Sequence, residues 1–199
     1  MNKNIEHYIF HKENFLDEKN CENCIDELNK NEWVKHEWYN YRTDSLNPHK
    51  LNAPSGDNEP EILHANQFSF NIEKINETIV QKLHSVILEY VKSLKFDWFG
   101  DWNGYSAIRF NRYFPGQTMK NHCDHIHSLF DGEIKGIPTL SIIGLLNDDY
   151  EGGELIMLED KKIDTKKGDL IIFPSNFLYP HKVTPVTKGV RYSYVSWVW

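Results

Sequence analysis

Three cysteines, no run of Lys or Arg and no apolar stretch approaching the roughly 18 residues of a membrane span each remove a class of function from this 199-residue chain. An odd number of thiols cannot all pair within one chain, which fits a reducing compartment better than a disulfide framework. A net charge of -7 offers no general grip on phosphate backbones, so nucleic acid is disfavoured as a partner. The opening MNKNIEHYIFHKENF places charge and histidine where a signal peptide needs an apolar segment. The expectation is a soluble, cytoplasmic protein without a membrane span, in the host cytoplasm if the source is viral. Repeats and low-complexity segments are also missing.

What is present suffices for one substantial core, with 40% hydrophobic and 14% aromatic residues, and the chain is read as a single domain over 1–199. Residues 1–70 form a polar, mixed and variable portion. Within it, NPHKLNAPSGDNEPE (47–61) is dense in turn residues, which predicts an exposed loop and a candidate flap over a site. Ile72, Ile75, Ile79, Val80, Leu83, Val86, Ile87, Tyr90, Val91 and Leu94 follow three-and-four spacing, predicting a helix over 72–95 that braces a sheet, with Asn71 as N-cap. From 105 to 199 the texture changes to short apolar or alternating runs punctuated by PGQ, DDYEGG and KKGD. That pattern predicts a mainly β, α+β domain: an antiparallel sandwich or barrel with helices packed outside.

The heptapeptide NHCDHIH (121–127) carries most of the chemistry. On a strand, side chains two apart share a face, so His122 and Asp124 point one way while Cys123, His125 and His127 point the other. Two ligands make a poor site, and His181 in LYPHKVTP is the natural third. Two imidazoles and a carboxylate leave several coordination positions open, as in the facial triad of non-haem Fe(II) oxygenases. A structural zinc would need four closed ligands, usually rich in thiolate. Spacing alone leaves open both the triad and ordinary hydrogen-bonded surface histidines. Arg191 shifts the balance. It shares a strand face with Ser193, and a guanidinium beside a hydroxyl suits a carboxylate. In IRFNRYF, Arg109, Asn111 and Tyr113 likewise share one face, opposite Ile108, Phe110 and Phe114.

These residues resemble the 2-oxoglutarate and Fe(II) dependent dioxygenases, and within them the prolyl 4-hydroxylase-like group with its PKHD-type hydroxylases. The resemblance runs from about Ile108 to Trp197, through RYFPGQTMKNHCD, LSIIGLLNDDYEGGEL and KKGDLIIFPSNFLYPHKVTPVTKGVRYSYVSW. It implies a double-stranded β-helix, or jelly roll, braced by N-terminal helices, with Fe(II) held by His122, Asp124 and His181. It further implies that Arg191 anchors 2-oxoglutarate, with Tyr113, Ser193 and Asn111 beside it, and that O2 is a cosubstrate and ascorbate a candidate addition. Collagen-type members often carry Lys at the anchoring position; Arg191 leans toward the bacterial type. The implied reaction hydroxylates an unactivated C–H, most simply of a prolyl residue in a peptide or protein, while 2-oxoglutarate becomes succinate and CO2.

Two rivals stand beside it. NRYFPG followed by HxD also resembles oxidative demethylases of alkylated nucleic acid, but those carry a further arginine soon after the anchoring one, and here the strand runs on to Trp197. A non-catalytic metal- or ligand-binding jelly roll would need no complete set of four. The paired glycines of EGGEL (151–155) and the KGD turn are read as conformational, without chemistry. His125 and His127 face away from the metal if the strand continues and reach the pocket mouth if it breaks. Cys123 is read as a packed residue, and the Cys21/Cys24 pair as a weak redox or zinc signal. The six tryptophans, at 33, 38, 98, 102, 197 and 199, are read as core or rim aromatics.

Overall fold

A computed structural model describes residues 4–36, 38–39, 52–53, 58–65, 70–100, 102–124 and 138–199. After a 3-10 turn at Ile5–Tyr8 come β1 (Phe10–Lys12), α1 (Glu18–Leu28), β2 (Val34–Lys35), β3 (Trp38–Tyr39), β4 (Asn52–Ala53), β5 (Glu61–His64), α2 (Phe70–Leu94) and β6 (Arg109–Tyr113). They are followed by β7 (Met119–His122), β8 (Leu140–Leu145), β9 (Glu151–Gly152), β10 (Leu155–Met157), β11 (Lys161–Ile163), β12 (Leu170–Pro174), β13 (His181–Val183), β14 (Val186–Lys188) and β15 (Arg191–Val198). A seven-stranded sheet has the order β1-β12-β8-β15-β6-β5-β2 and a four-stranded sheet the order β11-β10-β13-β7. All their pairings are antiparallel. Because residues from both sheets line one cavity, the sheets face each other as the two walls of a double-stranded β-helix, or jelly roll.

Strand alternation divides the large sheet between two jobs. Ile108, Phe110, Ile142, Ile172, Tyr194 and Val198 turn outward and pack with Leu28 of α1 and with Leu83, Ile87 and Tyr90 of α2 in the main core. Leu83 and Ile87 are fully buried, each contributing roughly 1.5–3 kcal/mol of transfer free energy. Their odd-numbered neighbours Arg109, Asn111, Tyr113, Ile143, Arg191 and Ser193 line the cavity instead. The helices thus stiffen the wall that carries the site. Gly144 lets Tyr194, its partner across the β8–β15 ladder, lie flat on the sheet, since an added Cβ would come within 2.0 Å of the phenol ring.

Several expectations need adjustment. α2 begins at Phe70, so Asn71 lies inside the helix rather than capping it; the apolar stripe marks the packed face and not the helix end. Phe114 follows the end of β6, and there the alternation stops: it is half-buried, with the Arg112 guanidinium 5.0 Å from its ring. The N-terminal portion is integral, giving β1 to an edge of the large sheet and β2 and β5 to the other. In the 47–61 stretch, Glu59 and Pro60 are buried and Glu61 starts β5, so the exposed-loop reading fails there. Positions 47–51 and 54–57 lie outside the described residues.

Candidate metal centre and anion pocket

His122 and His181 are register partners across the β7–β13 ladder, and Asp124 follows two residues after the end of β7. His122 Nε2 is 3.3 Å from Asp124 Oδ1 and His181 Nε2 is 3.7 Å from Asp124 Oδ2. One ligand atom from each of the three side chains lies within 4.8 Å of the others, the one such group of three among the described residues. Each ring is held by its other nitrogen. His122 Nδ1 is 2.7 Å from the Lys120 carbonyl oxygen and His181 Nδ1 is 3.1 Å from that of Tyr179. A carbonyl can only accept, so Nδ1 donates in both rings and both Nε2 lone pairs are turned to Asp124.

Burial lowers the His181 pKa, against the opposing pull of Asp124, which favours the neutral imidazole with its one proton on Nδ1. Burial pushes Asp124 up, but His181, His122 and the Ser141 hydroxyl together outweigh it and hold the carboxyl below its usual range. Ser141 Oγ also lies 2.9 Å from Ser175 Oγ, and Ser175 reaches the Asp124 carbonyl at 3.3 Å. Two imidazole nitrogens and one ionised carboxylate, with no thiolate, suit a divalent ion with open positions. Cys123 is turned away, its Sγ 3.6 Å from the Phe177 carbonyl oxygen, so a closed thiolate zinc site does not form here.

The same cavity holds an anion pocket. Arg191 is 2% exposed, yet its one hydrogen-bond partner among the described residues is neutral, Ser193 Oγ at 2.8 Å, and its Nε has none. Its guanidinium lies 5.0 Å from the centre of the Tyr113 ring. Asn111, also buried, leaves its Oδ1 unpaired. A buried cation without a counter-ion is costly, and a carboxylate entering the cavity would relieve that cost. The residues present therefore fit both an ion at the triad and a dianionic chelator reaching from it to Arg191.

The structure gathers His122, Asp124, His181, Arg191, Ser193, Asn111 and Tyr113 around one cavity. His125 and His127 lie outside the described residues. Cys21 and Cys24 are buried in α1, where burial raises both thiols, Cys21 to about 11; this does not suit redox or metal chemistry. EGGEL does more than turn the chain. Gly152 and Gly153 have positive φ, and a Cβ on Gly153 would come within 2.9 Å of Arg191 Cδ, so Gly153 makes room for the guanidinium arm. Residue spacing could not reveal that contact. Trp197 shares the β15 face with Arg191 and Ser193 and also lines the cavity, whereas Trp98 is 73% exposed and stacks on Phe96. Alternation along GVRYSYVSWVW could have singled out Trp197.

Comparison with known proteins places this geometry. The sequence profile of the 2OG-Fe(II) oxygenase superfamily matches residues 108–199. A PKHD-type hydroxylase of Burkholderia ambifaria is 37% identical over 95 residues, 45% of this chain and 40% of the relative. One of Stenotrophomonas maltophilia is 37% identical over 99 residues, 47% of this chain and 43% of the relative. The match thus spans less than half the length of these curated relatives. The fold is similar to a viral collagen prolyl hydroxylase of Paramecium Bursaria Chlorella virus-1, solved as a 2OG complex, with TM-score 0.62 and 20% identity over 96% of this chain and 94% of that one. It is also similar to a prolyl hydroxylase of Trichoplax adhaerens in complex with a hypoxia inducible factor peptide, with TM-score 0.67 and 18% identity over 97% and 84%. The triad geometry, the buried arginine and these matches converge on one region: residues 108–199 match the 2OG-Fe(II) oxygenase superfamily profile and are similar to PKHD-type hydroxylases, on a fold shared with prolyl hydroxylases.

Proposed function

We propose that the protein is an Fe(II)- and 2-oxoglutarate-dependent oxygenase that hydroxylates an unactivated C–H bond, with a prolyl residue of a peptide or protein as its substrate. The observation that carries this reading is Arg191: a buried guanidinium without a counter-ion among the described residues, in the cavity where His122, Asp124 and His181 converge. The hydroxylase names of the relatives and the prolyl hydroxylase folds of the structural neighbours support the choice of substrate.

In this reading His122 and His181 present Nε2 to the ion because their Nδ1 protons are committed to backbone carbonyls. Asp124 supplies the anionic ligand and stays ionised at neutral pH. Fe(II) bound there supplies the oxidising chemistry, consuming O2 and 2-oxoglutarate and releasing succinate and CO2 as the substrate gains a hydroxyl. Arg191, Ser193 and Tyr113 bind the distal carboxylate, and the Asn111 amide adds a polar contact. Ile143 and Val183 line the same cavity, keep bulk water out and strengthen every charge interaction inside. No side-chain acid or base is required. The three unpaired thiols fit a reducing compartment, and the cytoplasm is part of the same proposal.

The experiment is succinate release by purified protein supplied with Fe(II), 2-oxoglutarate and air. Proline-containing peptides should stimulate it while methylated DNA does not. Stimulation by methylated DNA alone would overturn the substrate assignment.

A further inference from the structure

We propose that Arg109 is the residue that recognises the primary substrate, and that this substrate carries a carboxylate beside the bond to be oxidised. The inference rests on the oxygenase reading above and deepens it.

Arg109 and Arg191 line one cavity wall, but they stand at different heights on it. Arg191 faces Tyr113 across the β6–β15 ladder, whereas Arg109 faces Val195. Four residues of strand separate the two positions, about 13 Å at the usual rise. Arg191 thus stands beside Tyr113 at one end of the wall, and Arg109 beside Trp197 toward the other.

Arg109 feels the Asp124 carboxylate across the cavity but has no carboxylate in ion-pair contact among the described residues. Among the described residues it makes no ion pair and no hydrogen bond through its side chain, and its Nε is buried and unpaired. What holds it is the indole of Trp197, with the guanidinium carbon 5.1 Å from the ring centre. Stacking fixes the plane of a guanidinium and leaves its N–H edge aimed outward. The neighbouring Lys120 is already matched, its Nζ 3.1 Å from the buried Glu59 carboxylate.

The charge balance of the cavity points the same way. Two arginines and a divalent ion, set against Asp124 and a doubly charged cosubstrate, leave one positive charge without a counterpart. A peptide carbonyl could satisfy a hydrogen bond but not that charge, and an unmatched charge in a dry cavity is costly. A substrate carboxylate completes the set. It could be the α-carboxylate of the target residue or the side chain of an adjacent acidic residue.

The test uses the full chain loaded with Zn(II), which does not turn over, and saturated with 2-oxoglutarate. Calorimetry follows the binding of N-acetylproline, N-acetylprolinamide, N-acetylglycine and N-acetylglycinamide. We expect each acid to bind more tightly than its amide by on the order of 10- to 100-fold. Arg109→Gln should abolish that preference, Arg109→Lys should keep part of it, and both should leave 2-oxoglutarate affinity within about twofold, which also reports that the variants are folded. N-acetylprolyl-aspartic acid α-amide, which keeps the aspartyl side-chain carboxylate, moves the charge one residue along and separates the two carboxylate sources. Equal binding of acids and amides, no binding of either acid, or an Arg109→Gln variant that loses 2-oxoglutarate as well would overturn the assignment. The prolyl reading is judged separately: an acid preference that is equal for proline and glycine keeps Arg109 and removes proline.

Discussion

His122 and His181 face each other across two antiparallel strands with ring centroids 4.3 Å apart, and each ring is anchored through Nδ1 to the backbone carbonyl two residues before it. The main chain thus orients both rings, and the Phe173 ring packs edge-on against His181 with centroids 5.0 Å apart. The ladder itself therefore fixes both Nε2 positions before any ion arrives, and the open side of the pair is left to Asp124 and to ligands.

Arg191 is predicted to stabilise the complex while destabilising the protein without cosubstrate. Arg191→Met should weaken 2-oxoglutarate binding about 100-fold or more, and Arg191→Lys about tenfold, because an ammonium keeps the charge without the fork. Without 2-oxoglutarate, the melting temperature of Arg191→Met should equal or exceed that of the parent, since a buried unpaired charge has been removed. Calorimetry and thermal melts with and without 2-oxoglutarate check both halves; a large loss of stability in the ligand-free variant would count against the pocket.

Gly153→Ala should damage the same pocket from outside it. The position has φ +61, and the new Cβ would press within 2.9 Å of Arg191 Cδ and 3.0 Å of Val186 Cγ2. A loss of roughly 1–3 kcal/mol in stability is expected, together with weaker 2-oxoglutarate binding. Denaturant titration and calorimetry would show whether the two losses travel together.

Acid should destabilise the ligand-free protein through its buried imidazoles. Burial, aided by surrounding positive groups with Arg109 foremost, pushes His36 down to about 3 despite Glu59 at 3.6 Å, and burial lowers His64 and His181 as well. Unfolded imidazoles take up protons near pH 6.5, so between about 6.5 and 3 the unfolded chain binds more protons than the folded one. Their contribution is complete above pH 6.5 and is lost as the pH falls through that window. Urea midpoints should drop from pH 7 to pH 4, and His36→Gln should make the decline shallower; an unchanged slope would contradict the burial argument.

Thiol labelling separates the Cys21/Cys24 pair from Cys123. Burial raises all three thiols, but Cys21 and Cys24 are closed off inside α1 whereas Cys123 is half-buried and reachable. Native protein should react with Ellman's reagent at one thiol per chain and, once denatured, at all three. Rapid native labelling at α1 would reopen a redox role for the pair.

Much of the site was legible because strand alternation is a strict code. HxD gave two groups on one side, RxS gave two more, and Asn111 and Tyr113 followed from period two in IRFNRYF. The His122 and Asp124 agreement has a further cause, since β7 ends at His122 and Asp124 is placed by the loop rather than by the pleat. What sequence could not show are contacts between distant segments: Gly153 against Arg191, Ser141 and Ser175 beneath Asp124, and Trp197 beneath Arg109. The short strands of the N-terminal portion escaped for another reason. Two to four residues carry too little alternation to distinguish a strand from a polar loop, and it is pairing that defines them, of β1, β2 and β5 within the large sheet and of β3 with β4.

In the proposed function His122, Asp124 and His181 hold Fe(II) while Arg191 holds 2-oxoglutarate against it. Mixing the protein anaerobically with Fe(II) and 2-oxoglutarate should develop a visible metal-to-ligand charge-transfer band. The band should vanish in His181→Ala with circular dichroism unchanged, and in Arg191→Met it should require far more 2-oxoglutarate to appear. No band in the parent protein, or a band of full strength in His181→Ala, would contradict the account.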